Sequence, residues 1–476
     1  MNHPQTYRGR RVVVLGLAKS GVSVAKVFHS YGAAVVVNDQ KEREKCPEAS
    51  ELDALGISVI CGGHPEDLIT EETALLIKNP GIPYHVGPVR AAEALGIEIV
   101  TEVEVAYWLS PAPIIGITGS NGKTTTTTWT GKLMEAAGMK PIVAGNIGRP
   151  LCEAAEEATA DQWVVAELSS FQLKGTSSFK PRVAVLLNLA ETHLDYHGDM
   201  DDYVASKARL FANQTSEDTA VLNWDDPVCR RLAEMLQARL LPFAAYQRLD
   251  SGVYLEPPYP AAGEVDKAAV DSRQIVWKSD KGVIRIAAAA ELGIPGRHNA
   301  ANALAAVAAV LAAGADPKLL AEPLRSFRGV EHRLEYVGSF RGVAYYNDSK
   351  ATNPTATTMS VGSLKEPIVL IAGGLDRGSD YMDLLPMFKS RVRAVVSIGQ
   401  TREKISRVAE LAGLTEVVTV DPLEDAESTL RQAVREAAAL ARPGDAVLLS
   451  PACASWDMFQ SYEQRGRIFK ESAHTL

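Results

Sequence analysis

The chain has 476 residues, more than one hydrophobic core ordinarily serves, and its 46% hydrophobic and 22% charged residues give the balance of a globular protein rather than a disordered one. A formal net charge of −9 argues against a broad nucleic-acid or anionic-membrane surface, which needs clustered Lys and Arg, but leaves room for small anions in local pockets. The five cysteines (Cys46, Cys61, Cys152, Cys229, Cys453) are odd in number and contain no Cys-x-x-Cys pair, which argues against a disulfide framework or structural zinc and fits a reducing cytosol.

The first hundred residues alternate short apolar runs (RVVVLGL, AAVVVND, ISVICGG, ALLIKNPGI, IEIV) with helical stretches, the rhythm of a parallel sheet with crossover helices. The apolar run at Arg11–Leu17 breaks at Lys19 and reads as a buried strand, not a signal peptide. Gly16-Leu-Ala18-Lys-Ser20-Gly21 after that strand, with Asp39 closing the next, half-matches a dinucleotide fingerprint. Its second glycine, the one that lets backbone approach a pyrophosphate closely, is Ala18. That weakens an NAD-binding reading and leaves a looser nucleotide site open.

Pro111 and Pro113 punctuate the chain, and a second α/β unit starts at IIGIT and continues through WVVAELSS and VAVLLNLAETHLD. Residues from about 245 to 290 mix Tyr, Pro and Gly into alternating strands, which predicts a small antiparallel extension. The Ala-rich segment after Asn302 is too short to span a membrane and reads as a core helix. After Phe327 the pattern restarts in VAYYNDS, PIVLIAGG, AVVSIGQ, VVTV and AVLLSPA, a third α/β unit. The expected architecture is therefore α/β in three domains. These are a Rossmann-like unit at 1–101, a P-loop-type ATPase sheet with the antiparallel extension at 102–329, and a second Rossmann-like unit at 330–476.

The strongest local signal is Gly116-Ile-Thr-Gly119-Ser120-Asn121-Gly122-Lys123-Thr124, between an apolar strand and the Thr-rich start of a helix. Such a loop curls backbone N–H groups around phosphate oxygens, brings Lys123 to the β- and γ-phosphates and offers the Thr124 hydroxyl to Mg²⁺. It departs from the strict motif, because Ile117 stands where the first glycine belongs and the glycine lies one residue earlier. Glu167 emerges at a strand C-terminus, where open α/β sheets place their ligands, and is a candidate Mg²⁺ ligand. His193 follows the strand VAVLLNL. Lys207, taken alone, reads as an ordinary exposed lysine on a helix.

In chain order, TGSNGKTT, ELSSFQL, NLAETHLDYHG, YVASKARLF, HNAANALAA, VEHRLE, NDSKATNPTAT, SPACASWDMF and YEQRG resemble the motif series of the Mur ligase family, from about residue 116 to 467. YNDSKATNPTA and SPACASWDMF are similar to the D-glutamate-adding branch, and the Asp-Asn-Pro-Arg motif of the diaminopimelate-adding branch is absent. The resemblance implies an ATP-dependent ligase that adds D-glutamate to UDP-N-acetylmuramoyl-L-alanine through an acyl phosphate. It implies that Gly119, Ser120, Asn121, Gly122, Lys123, Thr124 and Thr125 bind ATP phosphates, and that Asn299, Arg333 and Asp348 grip adenine, phosphate and ribose. Thr124 and Glu167 would hold one Mg²⁺, and His193 with Lys207, carbamylated by CO₂, a second. Ser20, Asp39, Lys41, Asn79 and Gly81 would meet the uridine diphosphate, and Asn146, Ser169 and Gln172 the muramoyl part. Lys350, Thr352, Arg377, Ser455 and Tyr462 would meet glutamate. Arg377 and Tyr462 stand where lysine and phenylalanine are familiar, keeping a cation and an aromatic wall with altered geometry.

A cytoplasmic monomer acting on small molecules, with neither nucleic acid nor membrane as partner, is expected. The alternatives are a folylpolyglutamate synthetase-like ligase, against which the nucleotide-binding unit at 1–101 argues, a P-loop switch or motor without ligase activity, and, more distantly, an NAD oxidoreductase.

Overall fold

The computed structural model describes residues 2–192, 194–261, 272–294 and 296–476. The chain forms two compact units, Met1–Phe327 and Arg328–Leu476.

The first unit carries two sheets. The N-terminal one is wholly parallel, in the spatial order Ser58–Cys61, Ala34–Asp39, Arg11–Leu15, Thr73–Lys78, Ile99–Val100. Val12, Val13, Val14 and Leu15 are all fully buried, as a central parallel strand covered on both faces requires. The strand order reverses beside Arg11–Leu15, so the crevice beyond its C-terminal end and that of Thr73–Lys78 is the topological switch point. There the polypeptide leaves the sheet as Gly16 on one side and Asn79 on the other.

The second sheet has nine strands, ordered Gly282–Ala288, Gln274–Ser279, Gly252–Glu256, Arg239–Ala244, Thr219–Asn223, Val183–Leu186, Ile114–Thr118, Trp163–Glu167, Pro141–Gly145. Its seven later members in this order pair parallel, and Gln274–Ser279 pairs antiparallel with both neighbours, which is the extension expected from sequence. Arg297–Ala312 is the expected core helix, buried almost throughout from Ala300 to Val310. Phe327 closes the unit by stacking on the fully buried Trp129, ring centroids 4.5 Å apart.

The sheet of the second unit runs Glu335–Phe340, Val343–Asn347, Ala446–Leu449, Ile368–Gly373, Val392–Ile398, Glu416–Thr419. The five strands expected from the apolar runs are all present. Glu335–Phe340 was not among them, because it is a half-exposed edge strand without an apolar run. It pairs antiparallel with Val343–Asn347 across Arg341-Gly342, whose φ angles of +53° and +79° match the two-residue hairpin turn that suits twisted strands. Among the described residues no helix is long and apolar enough to cross a membrane.

Candidate active site

The strand Ile114–Thr118 lies inside its sheet, and the chain turns from it through residues 119–122 into the 14-residue helix Lys123–Ala136. Gly122 caps that helix at φ +81°, and a Cβ there would lie 2.2 Å from Asn302 Oδ1; one on Gly119 would lie 2.8 Å from Leu187 Cβ. Both glycines are therefore required by close approach. The loop is tied down on the outside. Asn188 accepts from the Asn121 N–H at 2.9 Å and donates back to its carbonyl at 3.1 Å, while Ser120 Oγ meets the Tyr203 hydroxyl at 2.8 Å and accepts from the Ala190 N–H at 2.8 Å. Lys123 Nζ folds back to donate to the carbonyls of Gly119 (2.9 Å) and Ser120 (3.0 Å). A held ammonium at a helix N-terminus with a glycine-lined turn suits an anion. Gly116 serves packing behind the loop, since a Cβ on it would strike Leu210 Cδ1 at 2.7 Å, and Ile117 is free to be a buried strand residue.

Glu167 ends the adjacent strand, in register with Ile117, and is 2% exposed. Its Oε1 accepts from Asn146 Nδ2 at 3.0 Å, and its buried Oε2 has no hydrogen-bond partner. A buried carboxylate oxygen left open suits a hard cation, and Thr124, buried at the second helical position, lies on the same sheet edge. Among the described residues no group of three or more His, Cys, Asp or Glu forms a metal cage, so such a cation would complete its shell with phosphate and water oxygens. Ser169 and Gln172 form a capping box on Ser170–Lys174, which fixes both side chains just beyond Glu167. His193 lies outside the described residues.

Lys207 differs from what its helical position suggests. The helix Met200–Ala208 turns it inward, leaving it 2% exposed. Its Nζ donates to Thr118 Oγ1 (3.2 Å) and to the Gly119 carbonyl (3.0 Å) and lies 4.8 Å over the Tyr203 ring. Burial first, then repulsion from Lys123, pulls its pKa down to about 7. Among the described residues no carboxylate pairs with it.

At the N-terminal switch point, Asp39 is used by the backbone: its two oxygens accept from the N–H groups of Leu17 (2.8 Å) and Lys41 (2.9 Å). Ser20 Oγ donates to Asn79 Oδ1 at 3.0 Å, and a Cβ on Gly16, at φ +104°, would lie 2.5 Å from Asn79 Nδ2. Ser20, Asp39, Lys41 and Asn79 thus surround one turn, with Gly81 two residues further on.

In the second unit, Asp348 is buried beyond the end of Val343–Asn347; it accepts from Ser450 Oγ (2.7 Å) and from the Leu334 N–H (3.0 Å), and burial raises its pKa to about 6. Arg333 lies between His332 and Leu334, both with positive φ, and its charge acts on both Asp348 and Tyr462. Lys350 Nζ lies 5.4 Å over the Tyr462 ring, and Thr352 follows in the half-exposed turn before Pro354–Ser363. The Arg377 guanidinium lies 5.3 Å over Trp456, an indole 66% exposed, beside buried Ser455. Asp376, next to Arg377, is taken by Lys404 at 2.7 Å, so the guanidinium edge has no carboxylate among the described residues.

Four residues that support these sites were not singled out from sequence. Asn302 packs on Gly122 and donates to Asn299 Oδ1 at 3.4 Å, one helical turn away; its signal was the Asn-x-x-Asn spacing in HNAAN. Asn188 and Tyr203, which pin the loop, and Trp456, under Arg377, carried no local signal.

A nucleotide-type switch point, a glycine-rich loop at a helix N-terminus with an open buried carboxylate beside it, and a separate α/β unit together define a three-sheet α/β protein of nucleotide-binding type. The family description "Mur ligase MurD-like, N-terminal domain" matches residues 10–101, "Mur ligase middle domain" 117–310 and "Mur ligase, glutamate ligase domain" 332–453. The UDP-N-acetylmuramoylalanine–D-glutamate ligase of Geobacillus kaustophilus is 47% identical over all of both chains, and those of Listeria innocua and Bacillus subtilis are 43% and 42% identical over 99–100% of each chain. The solved UDP-N-acetylmuramate–alanine ligase of Thermotoga maritima shares the fold, with a TM-score of 0.56 at 19% identity over 98% of this chain and 99% of its own. The chain belongs to the Mur ligase family.

Proposed function

We propose that this chain joins D-glutamate to UDP-N-acetylmuramoyl-L-alanine at the expense of ATP, making UDP-N-acetylmuramoyl-L-alanyl-D-glutamate, ADP and phosphate for peptidoglycan precursor synthesis. The observation that carries this reading is the full-length identity of up to 47% to ligases of that name. Three domains, 1–101, 102–329 and 330–476, divide the work in a cytoplasmic monomer, with small molecules as the partners.

A carboxylate does not condense with an amine in water, so the L-alanyl carboxylate must first take the γ-phosphoryl group of ATP. Catalysis here is positioning and charge neutralisation. Residues Gly119 to Thr125 hold the phosphates, with Lys123 turning its ammonium from the loop carbonyls to the transferring group. Asn299, Arg333 and Asp348 hold the rest of the nucleotide. Thr124 and Glu167 would hold one Mg²⁺, as the open Oε2 supports, and His193 with Lys207 a second; these ions supply charge neutralisation at the phosphates. Ser20, Asp39, Lys41, Asn79 and Gly81 orient the uridine diphosphate, and Asn146, Ser169 and Gln172 the muramoyl group. The amine of glutamate, held by Lys350, Thr352, Arg377, Ser455 and Tyr462, attacks the acyl carbon; the C–O bond to phosphate breaks, and the amine loses its proton.

Lys207 acts as a carbamate. A buried amine with a pKa near 7 is neutral often enough to add to CO₂, forming an N–C bond and releasing a proton, and the anion produced offers hard oxygens to Mg²⁺. The acyl-phosphate route is tested by placing ¹⁸O in both oxygens of the alanyl carboxylate. One label should appear in released phosphate at each turnover, and label-free phosphate would refute that route.

A further inference from the structure

Lys78 ends the strand Thr73–Lys78 immediately before Asn79, and at 1% exposure it is among the most deeply buried charged groups in the chain. Among the described residues no carboxylate pairs with it. Its Nζ donates to the carbonyls of Asn79 (3.3 Å) and Pro80 (3.2 Å) and to the Tyr196 hydroxyl (3.4 Å), and lies 4.5 Å over the Tyr84 ring. The charge that acts on it is another cation, Lys174, itself paired with Asp202 at 2.7 Å. Burial first, then Lys174, depresses the Lys78 pKa to about 7. A buried ammonium without an anion is destabilising, and an apolar side chain of similar volume would serve the fold at least as well.

Tyr196 completes the arrangement. Its hydroxyl is 3.1 Å from the Pro80 carbonyl and 3.3 Å from that of Ile82, while the Ile82 N–H closes the turn onto the Asn79 carbonyl at 3.0 Å. Three outward carbonyls of one turn are thereby gathered by one ammonium and one phenol. Tyr196 sits on the short helix Leu194–His197, whose His197 bonds to Asp202 (2.7 Å) and to Ser170 Oγ (2.9 Å), just beyond the Glu167 strand. The Asn79 turn and the segment after Val183–Leu186 are thus one hydrogen-bonded piece.

We propose that Lys78 is a positioning residue for the sugar-nucleotide substrate: with Tyr196 it fixes the Asn79–Ile82 turn, and its buried positive charge is matched when the substrate's diphosphate arrives at that turn. This rests on reading the switch point as the uridine-diphosphate site. The isosteric Lys78→Met and the milder Tyr196→Phe test it, each by steady-state kinetics and thermal unfolding. Turnover of UDP-N-acetylmuramoyl-L-alanine by the unaltered chain is the control, and its failure would count against the proposed function rather than against this role.

Lys78→Met should keep or raise Tm while raising KM for the UDP substrate about tenfold, with KM for ATP and glutamate within about twofold, the signature of lost binding to one substrate. Tyr196→Phe should raise the same KM by a smaller factor. The double variant should be no worse than Lys78→Met alone, since the two side chains hold one turn. A fall in Tm with all three KM values unchanged would make Lys78 merely structural and overturn the proposal. Equal rises for UDP substrate and ATP, or strictly additive effects, would also overturn it.

Discussion

The phosphate loop of the first unit and the Arg377 region of the second hold a cationic side chain in opposite ways. Around residues 119–124 the setting is made of backbone: two glycines that tolerate no Cβ, a helix N-terminus, and loop carbonyls on which a lysine is parked, all braced by Asn188 and Tyr203. Around Arg377 it is made of side chains from separate loops, with a guanidinium laid on an exposed indole. Backbone sites are contiguous in sequence and admit little substitution. Side-chain sites are assembled from distant residues and can change a partner without losing the cation.

That contrast predicts a hierarchy of effects. Lys123→Ala should be the most damaging, lowering kcat on the order of 1,000-fold with Tm little changed, because it removes a preorganised donor from the transferring phosphoryl group; a loss under tenfold in a phosphate-release assay would show that the loop does not serve catalysis. Lys207→Ala and Glu167→Gln should each cost roughly 100-fold and raise the Mg²⁺ needed for half-maximal rate, as loss of a metal-site group does. Acetate, but not an alkylamine, should partly restore the Lys207→Ala enzyme; rescue by the amine alone would mean that Lys207 works as a simple cation.

Effects in the second unit should be smaller and confined to one substrate. Arg377→Ala should raise KM for D-glutamate roughly 30-fold, the scale of a lost charge-assisted bidentate pair, and leave KM for ATP unchanged. Trp456→Ala should raise the same KM only about threefold, the scale of an exposed cation–π contact, with Trp456→Phe close to the unaltered enzyme. If Trp456→Ala matched Arg377→Ala, the indole would be touching the substrate itself rather than orienting the guanidinium.

How far each region could be read in advance follows from the same physics. The three α/β segments, the antiparallel extension, the phosphate loop and the strand-end position of Glu167 are encoded by local runs of residues, and all appear in the structure. The inward turn of Lys207 is not local, because a helix face is buried only by what packs on it; composition alone would leave that lysine in solvent. Asn299 and Asn302 lie on one helix face, and only the approach to Gly122 distinguishes Asn302. The pairing of Arg377 with Trp456 joins residues 79 positions apart in loops without periodicity, so nothing in the sequence announced it.

Whether the chain is a D-glutamate-adding ligase is decided by phosphate release from ATP by the purified chain with UDP-N-acetylmuramoyl-L-alanine and a panel of D- and L-amino acids. Release should be strong with D-glutamate, weak or absent with L-glutamate, L-alanine and meso-diaminopimelate, and dependent on the UDP substrate, with UDP-N-acetylmuramoyl-L-alanyl-D-glutamate as product. Equal release without the UDP substrate, or preference for another amino acid, would contradict the assignment.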